Sequence, residues 1–161
     1  MIEVRPFDPA DAEAVAIAIV DSSIHHTALE PDRYRVLDPA RVAAEYRAGR
    51  QHPAGQPTDE AATFVAELDG RLVGVLDIHV ARPAGAHQPR TYGYIPEVAV
   101  AADARGRGVG TELMTAAEDW ARRHGCAFTV LDYNAHNVDA GRFYRDRLGY
   151  RPAGQIVIKD L

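Results

Sequence analysis

Cysteine and lysine are nearly missing from this chain, which holds one of each, Cys126 and Lys159. A single thiol excludes an intramolecular disulfide and a cysteine-rich metal site. With its only lysine near the C-terminal end, the chain cannot write the Gly-Lys-Ser/Thr of a Walker phosphate loop. Apolar runs are short, and none approaches the roughly 18 residues of a membrane-spanning helix. The N-terminal Met-Ile-Glu-Val-Arg-Pro lacks the apolar core of a secretion signal, so a cytoplasmic protein without membrane contact is expected. Positive charge is also outnumbered, 18 Lys and Arg against 23 Asp and Glu, for a net charge of −5. That balance argues against nonspecific nucleic-acid binding, although a local arginine patch can still hold phosphates.

What is present is ordinary in amount: 47% apolar and 25% charged residues, the proportions of a soluble protein. Residues 1–161 are expected to form a single domain, long enough to bury about two-thirds of the surface of the unfolded chain.

The chemistry concentrates in one stretch. Tyr94 to Val100 reads as a short apolar strand, Ala101 to Gly110 as a turn crowded with glycine and arginine, and Thr111 to His124 as a helix that begins inside the glycine run. Gly106, Gly108 and Gly110 remove side chains from the turn, so its N–H groups can approach a ligand closely. A helix starting there leaves its first amides unpaired and carries partial positive charge. Arg105 and Arg107 add full charges. The combination is an anion cradle suited to phosphate or pyrophosphate. It is not the dinucleotide fingerprint, because its glycines alternate and threonine stands at position 111.

Around that stretch the chain reads as a series of short elements. Ile2 to Phe7 is an edge strand, and Asp8-Pro9 starts a helix running to about Val20. Asp38-Pro39 starts a second helix that ends at Gly49. Between them lie His25, His26, Arg33, Tyr34 and Arg35. The paired histidines suit substrate contacts better than metal ligation, since adjacent side chains diverge on a helix and no third ligand is evident; no metal is expected. Gln51 to Glu60 is a loop. Thr63 to Leu68 and Arg71 to Val80 form a hairpin around Asp69-Gly70. On the return strand Val73, Val75, Asp77 and His79 share one face and Leu72, Gly74, Leu76, Ile78 and Val80 the other. Asp77 and His79 read as solvent-facing, with substrate contact as the alternative. Ala81 to Gly93 is a loop. In the helix after the cradle, Val109, Leu113, Ala116, Ala117 and Trp120 form the inward stripe, and Gly125 ends it. Ala127 to Leu131 is a strand, parallel to its predecessor because a helix joins them. A helix from Asn137 to about Leu148 and a strand from Tyr150 to Ile158 close the chain.

Two segments together resemble the GNAT superfamily of acyl-CoA-dependent N-acetyltransferases. Arg105, Gly108 and Gly110 match its Arg/Gln-x-x-Gly-x-Gly/Ala motif. Asn137, Ala140, Phe143, Tyr144, Leu148, Gly149 and Tyr150 look like its C-terminal signature, Asn-x-x-Ala-x-x-Phe/Leu-Tyr followed by Leu/Gly and an aromatic. The match spans about residues 94 to 151. The resemblance implies an α/β (α+β) fold with a central mixed, mostly antiparallel twisted sheet, one splayed parallel strand pair, and helices on both faces.

It also implies a chemistry. Acetyl-CoA would lie in the gap between the splaying strands, its pantetheine paired with the backbone near Val98, Ala99 and Val100. The cradle, Arg105, Gly106, Arg107, Gly108, Val109, Gly110 and Thr111, would hold its pyrophosphate. An amine would attack the thioester directly, and the Val98 N–H would stabilise the developing oxyanion. Tyr144 would protonate the leaving thiolate, unless its role is structural. An amine with a pKa near 10.4 must first lose a proton. Glu97 is the best candidate to take it, if a bulge turns it toward the cleft; Tyr92, Tyr94, His79 and His136 could act through water. Asn137 would orient pantetheine, cap its helix, or both. The partners implied are acetyl-CoA and an amine acceptor: a small amine, an amino acid derivative, an antibiotic or a protein amine. Net negative charge suits a cationic acceptor, and a homodimer built on the Gln155 to Lys159 strand is a further expectation. The alternative is a noncatalytic acyl-CoA-binding sensor.

Overall fold

The computed structural model describes residues 1–83, 85, 90–154 and 156–159. Five strands form one mixed sheet in sequential order: β1 (Ile2–Pro6), β2 (Ala61–Leu68), β3 (Arg71–Ala81), β4 (Tyr92–Val100) and β5 (Thr129–Val130). Neighbours are antiparallel except β4 and β5, which run parallel. The β2–β3 hairpin turns at Asp69-Gly70, both in the left-handed region at φ 53° and 80°, as a two-residue connection requires.

Helices cover both faces. α1 (Ala12–Leu29) and α2 (Pro39–Arg47) lie on one, α3 (Val109–Arg123) on the other. The α3 face is filled by Leu76, Ile78, Leu113, Met114 and Trp120. The α1/α2 face is filled by smaller groups, Ala12, Val15, Ala16, Val75 and Ala99, together with Tyr46. Among the described residues no helix is long and apolar enough to cross a membrane.

Several sequence expectations need correction. α1 continues nine residues past Val20, to Leu29. Ser23 and Thr27, which look like helix breakers, turn their hydroxyls back onto the carbonyls of Val20 and Ser23 at 2.8 Å each, so the polar stretch stays helical. A bulge opposite Ala66 and Glu67 reverses the expected faces at the start of β3. Val73 joins the α3 core, and Leu72 packs toward α1 and α2.

The final helix is broken into α4 (Val138–Gly141) and a π-helical turn over Arg142–Arg147. The closing strand is not formed: described residues from Tyr150 to Ile158 have no regular structure, and Gln155 lies outside the described residues. Pro152 and Gly154 interrupt that segment, and β5 offers only a two-residue edge. Ile156, Val157 and Ile158 are 72%, 88% and 63% exposed.

Candidate active site

β4 carries the site because it changes face partway along. Asp77 pairs with Glu97, but His79 pairs with Tyr94, so Ile95 and Pro96 stand opposite the single residue Ile78. Proline, which has no N–H to give a ladder, is well placed in such a bulge. Before the bulge Gly93 and Ile95 face α3; after it Glu97 and Ala99 face α1 and α2. Glu97 is thereby turned onto the side of Asp77.

β4 and β5 pair only at Gly93–Thr129 and Tyr94–Val130. Beyond that the chains separate, and a cavity of about 890 Å³ opens between them. One wall is Ile95 to Val100; the other is Leu131 to Asn134 with Asn137, Phe143 and Tyr144. At the mouth of the gap Tyr94 donates to Asp132 at 2.6 Å. α1 closes the cavity from above with Ser23, His25 and His26, and Glu30 accepts a hydrogen bond from Asn134. Burial, then the charges of His25 and Arg105, pull the His26 pKa down.

The two proposed catalytic side chains share this cavity. Burial, and then the negative charge of Asp77, raise the Glu97 pKa to about 7. A carboxyl there is partly ionised at neutral pH, as a general base needs. Tyr144 sits in the π-helical turn, packed among Tyr133, Phe143 and Tyr150. Burial, then the charges of Glu97 and Tyr150, hold its phenol well above the ordinary tyrosine pKa, so it keeps its proton for donation. Asn137 caps α4, its Oδ1 accepting from the Ala140 N–H at 3.0 Å, and lines the cavity as well.

The cradle divides into residues that face the cavity and residues that do not. Arg105, Gly106 and Gly110 line it together with Val98, Ala99 and Val100. Gly106 and Gly108 both have left-handed backbone, φ 75° and 94°. At Gly110 a Cβ would come within 3.1 Å of the Phe143 ring, so glycine here lets the π turn close against α3. Arg107, Gly108, Val109 and Thr111 are not on the cavity wall. Arg107 reaches toward Asp69, Val109 is in the core, and the Thr111 N–H is already bonded to the Gly108 carbonyl at 3.0 Å.

Asp77 is not solvent-facing, as its place in the strand pattern suggests; it is 2% exposed beneath α2. His79 is half-buried and packs edge-on against Tyr94. Tyr92 stacks on Phe128, and neither Tyr92, Tyr94, His79 nor His136 is on the cavity wall. Residues that sequence reading passed over include Ser23, Tyr133 and Asn134. The only signal for the last two is their place between strand and cap, in Asp132-Tyr-Asn134. Among the described residues no three His, Cys, Asp or Glu side chains converge as metal ligands would.

Residues 26–150 match the model of the Acetyltransferase (GNAT) family. An aminoalkylphosphonate N-acetyltransferase of Salmonella typhimurium is 32% identical over 108 residues, covering 66% of this chain and 68% of its own length. Among solved structures, a Bacillus halodurans protein superposes with a TM-score of 0.81 at 23% identity, over 99% of both chains. An aminoglycoside N-acetyltransferase in complex with CoA superposes at 0.69 and 17% identity, over 100% of this chain and 95% of its own. A cavity between separating strands, glycines where side chains would intrude, and the family match over residues 26–150 lead to one assignment: this chain belongs to the GNAT acetyltransferase family.

Proposed function

We propose that this chain transfers the acetyl group of acetyl-CoA to a primary amine by direct attack. The observation that carries the reading is that Glu97 and Tyr144 face one cavity between the separating strands, Glu97 partly ionised at neutral pH and Tyr144 holding its proton. The residues present fit acetyl-CoA. Arg105, Gly106 and Gly110 would hold its phosphates, and Val98 to Val100 offer a strand edge for the pantetheine arm. When bound, acetyl-CoA supplies an activated thioester.

The chain's own groups do the rest. Glu97 takes a proton from the acceptor ammonium, which leaves a neutral amine able to attack. The Val98 N–H holds the carbonyl oxygen as charge builds on it. Tyr144 gives its proton to the departing sulfur, and its burial keeps that proton on the oxygen until then.

The acceptor wall favours an amine with an anionic tail. Arg33 and Arg35 line the same cavity as Glu97, Asp132 and Asp139, so two guanidinium groups stand ready for an anionic tail although the whole chain is acidic. The acceptor named for the Salmonella relative, an aminoalkylphosphonate, is of that kind. A thiol-release screen should therefore compare aminoalkylphosphonates with aminoglycosides and simple alkylamines, with the first group expected to react fastest. Tyr144→Phe is expected to lower turnover with the best acceptor roughly 10²- to 10³-fold, while calorimetry shows acetyl-CoA affinity little changed. An unchanged rate would remove Tyr144 from the mechanism. Failure of folded protein to bind acetyl-CoA would leave an acetyltransferase fold without the activity.

A further inference from the structure

Behind Glu97 lies a buried polar cluster that the mechanism above does not use. Asp77 is its centre, and among the described residues no other carboxylate is so deeply buried. Each of its oxygens is held by a hydroxyl: Tyr46 donates to Oδ2 at 2.6 Å and Thr63 to Oδ1 at 2.6 Å. Thr63 in turn accepts from Gln51 Nε2 at 3.2 Å and lies 3.1 Å from His52 Nε2. α2, β2 and the connection between them thus converge on one carboxylate.

Among the described residues no cation answers its charge. Burial raises the Asp77 pKa to about 6, and only the Thr63 and Tyr46 hydroxyls oppose that rise. An unpaired buried charge is costly even when hydrogen-bonded. An apolar side chain of similar size would fill the position more cheaply. What the charge does for the molecule must therefore lie in what it faces, and its cross-strand partner is Glu97. That juxtaposition exists only because the bulge at Ile95 and Pro96 turns Glu97 onto this side of the sheet.

We propose that Asp77 is a positioning residue for acetyl transfer: a fixed negative charge, clamped by Tyr46 and Thr63 directly across from Glu97, that strengthens Glu97 as the base. The proposal rests on the reading of Glu97 given above. Asp77 acts without touching the reacting atoms. Its charge disfavours a second negative charge beside it, so Glu97 holds a captured proton more firmly than burial alone would arrange. The other titratable groups around Glu97 are Tyr46 from α2, Tyr144 from the π turn, His26 from α1 and Arg105 from the cradle. The two tyrosines are neutral at working pH, His26 has its pKa lowered by burial, and besides burial it is the charge of Asp77 that raises the Glu97 pKa.

The test reads Glu97 itself, so it does not need the natural acceptor. Protein labelled with ¹³C in its Asp and Glu carboxyls is titrated by NMR, with Glu97→Gln used to assign the signal. In the wild type, Glu97 is expected to titrate well above the ordinary carboxylate range and to show a second inflection as Asp77 ionises. In Asp77→Asn its midpoint is expected to fall by on the order of one pH unit. In Tyr46→Phe it should move the same way by less, because Asp77, having lost a donor, takes up the pair's proton more readily. Should Asp77→Asn fail to fold, Tyr46→Phe and the two-step wild-type curve carry the test. A purely structural Asp77 would leave the Glu97 midpoint where it is in every folded variant, and that result overturns the proposal. Thiol release by the wild type is measured alongside. Active enzyme with an unmoved Glu97 midpoint would remove only the role of Asp77. Inactive protein that binds no acetyl-CoA would remove the functional reading and, with it, this one.

Discussion

β3 separates two interiors of different character. Toward α3, its side chains Leu76, Ile78 and Val80 meet Leu113, Met114 and Trp120, and among the described residues no buried charged group enters. Toward α1 and α2, the same strand presents Val75 and then Asp77, with Thr63 and Tyr46 drawn in around it and Glu97 alongside. Of the four buried polar residues among those described, Ser23, Thr63 and Asp77 stand on this second side, and Asn134 lies on the cavity wall. One face binds the sheet to a helix through apolar contact alone. The other gives up part of that contact to hold one carboxyl, Asp77, out of water and a second, Glu97, half-buried at the cavity beside it, both with raised proton affinity.

The apolar side should be the more sensitive to truncation and the less sensitive to pH. Leu113 is fully buried, with its Cδ1 3.0 Å from where a Cβ on Gly74 would stand. Leu113→Ala is expected to cost about 2–5 kcal/mol, the lost transfer energy plus the cavity left behind. Urea unfolding at pH 4.5 and at pH 8 should return the same loss. A loss that grew with pH would mean that the two faces are not energetically separate.

The polar side should show the opposite behaviour. Asp77 titrates at about 6 against an ordinary 3.8, and Glu97 at about 7 against 4.5. Between roughly pH 4 and 7 the folded chain therefore binds more protons at these two groups than the unfolded chain does. Their contribution to stability falls as pH rises through that window, and above it the loss is complete. Carboxylates such as Asp11, whose pKa is lowered by the hydrogen bond from Arg5, act in the other direction, so the whole-protein profile is a sum. The difference between wild type and Glu97→Gln reports Glu97 together with its coupling to Asp77. The variant should gain on the order of 2–3 kcal/mol relative to wild type between pH 4.5 and pH 8, measured by urea unfolding at both. A constant difference would mean that Glu97 ionises normally.

This contrast explains which parts of the molecule were legible in the sequence. The α3 stripe, the hairpin turn at Asp69-Gly70 and the glycine cradle are local: periodicity or spacing states them within a few residues. Tyr144 and Asn137 were reachable because the motif that carries them is also short. Glu97 was legible as a residue but not as an orientation. Its face depends on a bulge set by β3, whose sequence neighbours lie about twenty residues away. The burial of Asp77 is hidden for a related reason, since strand alternation reports which residues share a face and not which helix covers it. The sequence ends α1 at Val20 because serine and threonine carry the same letters at a boundary as inside a helix, where Ser23 and Thr27 satisfy their hydroxyls on backbone carbonyls.

The smallest expected effect separates two arginines that the sequence treats alike. Arg105 is on the cavity wall, its Nε donating to the Val100 carbonyl at 3.0 Å, which fixes the guanidinium beside Gly106. Arg107 is two residues on and points the other way, 3.4 Å from Asp69 across the surface. Removing a charged partner from a phosphate costs about 1.5–3 kcal/mol when the contact is direct, and an exposed ion pair contributes less than about 1 kcal/mol to folding. Arg105→Ala is therefore expected to weaken acetyl-CoA binding by roughly tenfold or more, with the loss shrinking as salt is added. Arg107→Ala should change affinity by less than about twofold and stability by under about 1 kcal/mol. Calorimetric titration of both variants at low and moderate salt decides the matter. Equal losses would require the turn to reorganise on binding, bringing Arg107 to the cavity side, and only the backbone of Gly106 and Gly108 is free enough in φ to permit that movement.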